Sequence, residues 1–147
     1  MSELGVFRDD FYDATAVLGE SQYNANAQTA GVIPANQLAG ARNNVINFAG
    51  SAAAVALTTD SAANIVAALQ AAIQAASRST SLPVAGKTFR VRLINNGNTS
   101  GVITLTGGAG VTINGTNTLA IATSRDFQVT VVDSAHVTFQ NVGSGTP

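Results

Sequence analysis

The chain has 147 residues, only 10% of them charged, and a formal net charge of −1. That length suits one domain, and so weak a charge leaves no basic field for a nucleic-acid backbone. Without cysteine there is no disulfide or thiolate metal site, and the longest apolar run, residues 52–57, falls far short of the roughly 20 residues of a membrane span.

The leading stretch "MSELGVFRDDFYD" lacks the basic and apolar regions of a signal peptide, and with no cysteine in the chain synthesis and assembly in a reducing cytoplasm are expected. A surface built from Ala, Thr, Asn, Gly and Ser favours association. Composition admits both an assembled protein and a monomer solubilised by Thr and Asn.

Residues 1–50 differ from the rest. Phe7, Phe11, Ala14 and Leu18 recur at helical spacing, with Asp9, Asp10 and Asp13 off that face and Gly19 placed to end a short helix. The Asn-, Ala- and Gln-rich stretch that follows has no sustained period, and about thirty such residues exceed an ordinary loop. Disorder or an extended arm is expected, with Val32, Ile33, Leu38, Ile46 and Phe48 as scattered anchors.

In the body, residues 51–147, "AVALTT" is a strand candidate and a helix is expected over about 60–77, capped by Thr59 or Asp60. Ile65, Leu69 and Ile73 form its apolar stripe, each contributing roughly 1.5–3 kcal/mol on burial. Residues 87–142 alternate with period two: Phe89, Val91 and Leu93, then Ile103 and Leu105, Val111 and Ile113, Leu119 and Ile121, Phe127, Val129 and Val131, Val137 and Phe139. The predicted fold is mainly β: an antiparallel β-sandwich, jelly-roll-like or meander, with one short helix and an extended N-terminal arm.

All these inward positions are odd-numbered. If neighbouring strands form hairpins, Val111 opposite Leu119 and Val131 opposite Val137 need three-residue loops, near 107–109, 114–116 and 133–135, or an equivalent bulge. If successive strands enter different sheets, that constraint lapses. The glycine-rich "GGAGVTING" lies between strands, with no following helix and no "GK[ST]", so the corner of a β-hairpin is expected rather than a phosphate loop.

Little in the chain resembles catalytic or metal chemistry. The one histidine, His136, lacks companions for a metal site and is expected to point outward. Asp9, Asp10 and Asp13 lack the calcium-loop pattern, and Asp126 and Asp133, roughly 20 Å apart along one strand, are too far apart to share a glycosidic bond. No serine nucleophile has a base and an orienting acid beside it, so neither an enzyme nor a cofactor is expected. Arg90 and Arg92 share one strand face. They suit a carboxylate of a neighbouring subunit (Glu3, Glu20 or the Asp9–Asp13 group) or protection of a strand edge.

The order "LTTDSAANIVAALQAA", "GKTFRVRLIN", "VITLTGGAGVT" and "TSRDFQVTVVDSAHVT" resembles a module of tailed-bacteriophage virion proteins, over roughly 57–142. The resemblance implies a capsid decoration (cement) protein on the outer capsid surface. Such a protein would be a homotrimer that bridges and stabilises major capsid subunits, with no nucleic-acid or membrane partner. A head- or tail-fibre module binding host-surface glycan is the alternative. Residues 1–50 have no counterpart in the module. They are assigned to gripping the capsid or a neighbouring subunit, with Phe7, Phe11, Tyr12, Leu18, Arg90 and Arg92 as the expected contacts.

Overall fold

The computed structural model describes residues 18–49, 53–77, 84–96 and 101–146. In chain order the elements are β1 (Ser21–Ala27), β2 (Gly31–Ile33), α1 (Ala35–Leu38), β3 (Asn43–Ala49), β4 (Val55–Thr59), α2 (Ala62–Ser77), β5 (Thr88–Asn96), β6 (Ile103–Thr106), β7 (Val111–Asn114), β8 (Thr118–Leu119), β9 (Thr123–Asp133) and β10 (His136–Gly145). Alternation builds the long strands as expected: Phe89, Val91, Leu93, Phe127, Val129, Val131, Val137 and Phe139 are all buried. The phenyl rings of Phe127 and Phe139 meet at 6.0 Å and 59°. The stripe of α2, Ile65, Leu69 and Ile73, is buried in the same cluster.

The strands form two mixed sheets, in the orders β1-β3-β5-β9-β10-β7 and β2-β4-β6-β8. The chain steps from one sheet to the other at each of its first six strands, winding three coils in which β3 lies parallel on β1 and β5 on β3, with β4 on β2 and β6 on β4. The antiparallel expectation is therefore corrected. Five of the described strand pairs run parallel and three antiparallel. Of consecutive strands only β9 and β10 pair, so the path is neither a meander nor an antiparallel jelly roll. Period-two alternation marks a buried face but carries no information about strand direction, which the connections decide.

The arm is corrected for its described part. Residues 21–49 supply β1, β2, α1 and β3, of which β2 and β3 pair across the expected boundary at 50 with β4 and β5. Ile33, Leu38, Ile46 and Phe48 are buried in the common core, as is Leu18. No period showed because the half-buried positions of β1 are Gln22, Asn24 and Asn26. Residues 1–17, including the possible helix, lie outside the described residues.

The parity argument holds where a hairpin exists. Val131 faces Val137, through a short turn at Ser134 and Ala135 and a register shift after His136. It lapses for Val111 and Leu119, because β7 and β8 belong to different sheets. Residues 107–110 thus form a crossover between sheets rather than a hairpin corner. Gly110 has φ +76°, and a Cβ there would run into the Ala135 carbonyl, so glycine is required by both conformation and space.

Parallel coils leave polar corners inside the body, and Asn44, fully buried, closes one of them. Its Oδ1 accepts from Gln22 Nε2 (2.7 Å), Gly40 N (3.0 Å) and Ala41 N (2.9 Å). Its Nδ2 donates to Ala41 O (2.8 Å) and to Arg90 O (3.0 Å). One amide thereby ties β1, β3 and β5. Asn44→Ala strands several buried groups at once and should cost about 3–5 kcal/mol. Asn43→Ala, on the exposed face, should cost less than about 1 kcal/mol. Urea unfolding of both variants measures the contrast.

Candidate functional site

Register across the six-stranded sheet arranges its outer face in rows. Ser21, Asn43, Arg90, Gln128, Gln140 and Asn114 fall in one row. Thr88, Thr130, Thr138 and Thr112 make the row beside it, one threonine per strand. On the other side run Tyr23, Val45, Arg92 and Asp126. Tyr23 is 61% exposed, and its hydroxyl accepts a 2.7 Å bond from Asn47 Nδ2. This face gathers neutral amides and hydroxyls, with arginines at its centre.

Arg92 donates to Asp126 through Nε (2.6 Å) and Nη2 (3.0 Å), the two-pronged geometry that suits a guanidinium and a carboxylate. Hydrogen bonding to Asp126, reinforced by its charge, raises the Arg92 pKa above its ordinary value. The Arg92 side chain is 53% exposed, so water screens the pair to about 1 kcal/mol or less.

The edge-guarding expectation is corrected for both arginines, since β5 is an interior strand, and Arg92 takes a carboxylate of its own chain. The pairing of Asp126 with Arg92 escaped sequence reasoning because only the β5–β9 register brings the two opposite each other. The available signal was the complementary facing of Phe89 with Val129 and of Val91 with Phe127.

Arg90 differs from Arg92. Among the described residues neither Arg90 nor Arg42 has an ion pair. Both line a shallow concavity of about 320 Å³ with Asn43, Thr88, Phe89 and Gln128, none of them acidic. Of the other expected contacts, Leu18 is 4% exposed and packs in its own core, so it is not available to a neighbour. Phe7, Phe11 and Tyr12 lie outside the described residues.

A second polar cluster sits where the glycine crossover meets the start of α2. Ser61 N donates to Asp60 Oδ1 (2.8 Å), Ala62 N to Ala109 O (2.8 Å) and Asn64 N to Ser61 Oγ (3.2 Å). Gly108 N donates to Thr59 Oγ1 (2.9 Å), an approach open only to glycine, since a Cβ there would stand 2.5 Å from Thr59 O. These donors are already engaged, so the loop works as a lock between crossover and helix and does not cradle an anion. The cap is Ser61 supported by Asp60, one residue beyond the expected Thr59 or Asp60.

Asp60 also accepts from Ala35 N (3.2 Å) and Asn64 Nδ2 (2.7 Å). The bond from Asn64, helped by those from Ser61 and Ala35 and opposed by partial burial, lowers its pKa below 3.8. His136 is exposed, as expected, with Nδ1 2.8 Å from Asp133 Oδ1. The Asp133 pKa is lowered first by the bond from Ala135 N and then by His136. Among the described residues no three His, Cys, Asp or Glu side chains gather as a metal site would require, and no helix is long and apolar enough to cross a membrane.

No protein-family model, curated protein or solved structure matches the chain.

The lowered Asp60 pKa fixes a pH dependence. Its contribution is complete above the ordinary carboxylate value of 3.8 and is lost as the pH falls from there through the lower folded value. Asp60→Asn should cost about 1–2 kcal/mol at pH 7. The melting-temperature gap to wild type should then narrow as the pH is taken below 3.8. Thermal melts at a series of pH values provide the check.

Proposed function

We propose that this protein is a structural virion component, a capsid decoration (cement) protein. In this reading its β-sandwich body lies on the outer capsid surface as a homotrimer and bridges neighbouring major capsid subunits. The observation that carries the reading is the broad outer face of the six-stranded sheet, a threonine row beside an amide-rich row. Such a face offers many weak, neutral hydrogen bonds and suits a large protein partner better than a small substrate. The phage-module resemblance and the low charge point the same way. The proposed work is mass-action stabilisation of the assembled shell.

Phe7, Phe11 and Tyr12 remain the proposed aromatic contacts, and they confine the gripping segment to residues 1–17. Residues 18–49 belong to the body, so a chain lacking 1–17 should fold with a melting temperature near that of the full chain, whereas one lacking 1–50 should not fold. Full-length protein should sediment with capsids that lack it and raise their disruption temperature. Loss of residues 1–17 should weaken that binding about tenfold or more, as removal of aromatic anchors does. A full chain that never joins capsids would refute the assignment.

The alternative, a fibre module for host-surface glycan, draws on one observation: exposed Tyr23 shares a row with the Arg92–Asp126 pair, a platform suited to a sugar ring. It requires glycan-array binding that Tyr23→Ala abolishes. Retention of binding by that variant would exclude the platform.

A further inference from the structure

We infer that β1 is the contact strand for a second copy of this chain, whose own β1 adds antiparallel to it about a two-fold axis at Asn24. Strands β1 and β7 bound the six-stranded sheet, and β2 and β8 bound the four-stranded one. Edge strands are commonly blunted by shortness, charge, proline or bulges. Three of these edges are short: β2 has 3 residues, β7 has 4 and β8 has 2. Strand β1 runs for 7 residues, "SQYNANA", without a charge or a proline, and its register on β3 has no shift.

The bonds that β1 makes inward define the groups it turns outward. Asn43 N donates to Glu20 O (3.1 Å) and Gln28 N to Ala49 O (3.1 Å), so the even-numbered residues direct their main chain to β3. Successive residues of a strand direct these groups to opposite edges. The N–H and C=O of Ser21, Tyr23 and Ala25 therefore face away from the sheet, where no described residue bonds to them. All three residues are exposed.

The side chains suit a copy of the same strand. With the axis at Asn24, Tyr23 of each copy exchanges main-chain bonds with Ala25 of the other, setting a large side chain against a small one. No charge meets its own image, as it would if β1 carried one near the axis. Val32, 60% exposed on β2, lines the same concavity of about 410 Å³ as Ala25 and adds apolar surface beside the strand.

The inward amides place the axis. Gln22 Nε2 donates to Asn36 O (2.8 Å) and Asn26 Nδ2 to Gln37 Oε1 (2.7 Å), which ties both to α1. Half-buried Asn24 between them has no hydrogen bond among the described residues. At the axis two Asn24 amides come face to face, and each offers the donor and the acceptor that the other needs.

The chain has no cysteine, so a single one reports the register. A pair whose main chains turn away from each other brings its Cα atoms to about 4.5 Å, within disulfide range. The images of Asn26 lie roughly 13 Å apart along the strands. Under mild oxidation Asn24→Cys should therefore form a linked pair about tenfold faster than Asn26→Cys.

Sedimentation of the full chain gives the second readout. Asn24→Lys and Asn24→Asp break no bond within the chain, and each sets like charges against each other, so each should weaken association about tenfold or more. An equal mixture of the two should recover association to within about twofold of wild type. Ala25→Pro keeps every bond to β3 and should abolish association with little change in melting temperature. Equal linking of the two cysteine variants, no recovery in the mixture, or a sedimenting mass unchanged by every β1 substitution overturns the proposal. The pairing goes beyond the decoration reading, in which it joins copies of neighbouring homotrimers. None of these outcomes depends on capsid binding, so the two can fail separately.

Discussion

The buried amide of Asn44 meets the central constraint of this molecule. Parallel strands stacked coil on coil must turn inside the body, where an unpaired backbone group is costly. Asn44 accepts from two turn amides and from Gln22 in the preceding coil, and donates to Arg90 O in the next. Asn95, also fully buried, extends the device by donating to Gly101 O and Leu119 O. The abundance of asparagine and glutamine thus has a structural use: these side chains replace backbone partners where coils change direction.

The same economy shapes the outer face. With interior corners closed by neutral amides and the core filled by Val, Ile, Leu, Phe and Ala, few charged groups are needed for folding, and most of those present have a definable task. Asp60 joins the N-terminus of α2 to α1, while Arg92 and Asp126 hold β5 against β9. Arg42 and Arg90, like Lys87 and Arg125, have no ion pair among the described residues.

Much of this architecture was legible in the residues. Odd-numbered apolar positions from Phe89 to Phe139 identified the buried face except at Ile121, which is exposed between β8 and β9, and the alanine-rich stripe of Ile65, Leu69 and Ile73 located α2, because burial imprints its own period on side chains. Facing of Val131 with Val137 also followed from parity. Strands β1 and β3 were hidden by Gln22, Asn24, Asn26 and Asn44, polar residues at inward or half-buried positions that conceal a strand from any reading based on hydrophobicity.

The sequence by itself determined the buried apolar positions of the long strands and of α2, where that helix runs, and how poor in charge the chain is, since each depends on local spacing or composition. Only the tertiary structure decided strand direction, the winding between two sheets, and the meeting of Arg92 with Asp126 and of Arg42 with Arg90. Those features depend on pairing between segments distant in the chain. A strand's side-chain alternation is the same whichever way its neighbour runs, so the packed coils alone resolve that choice.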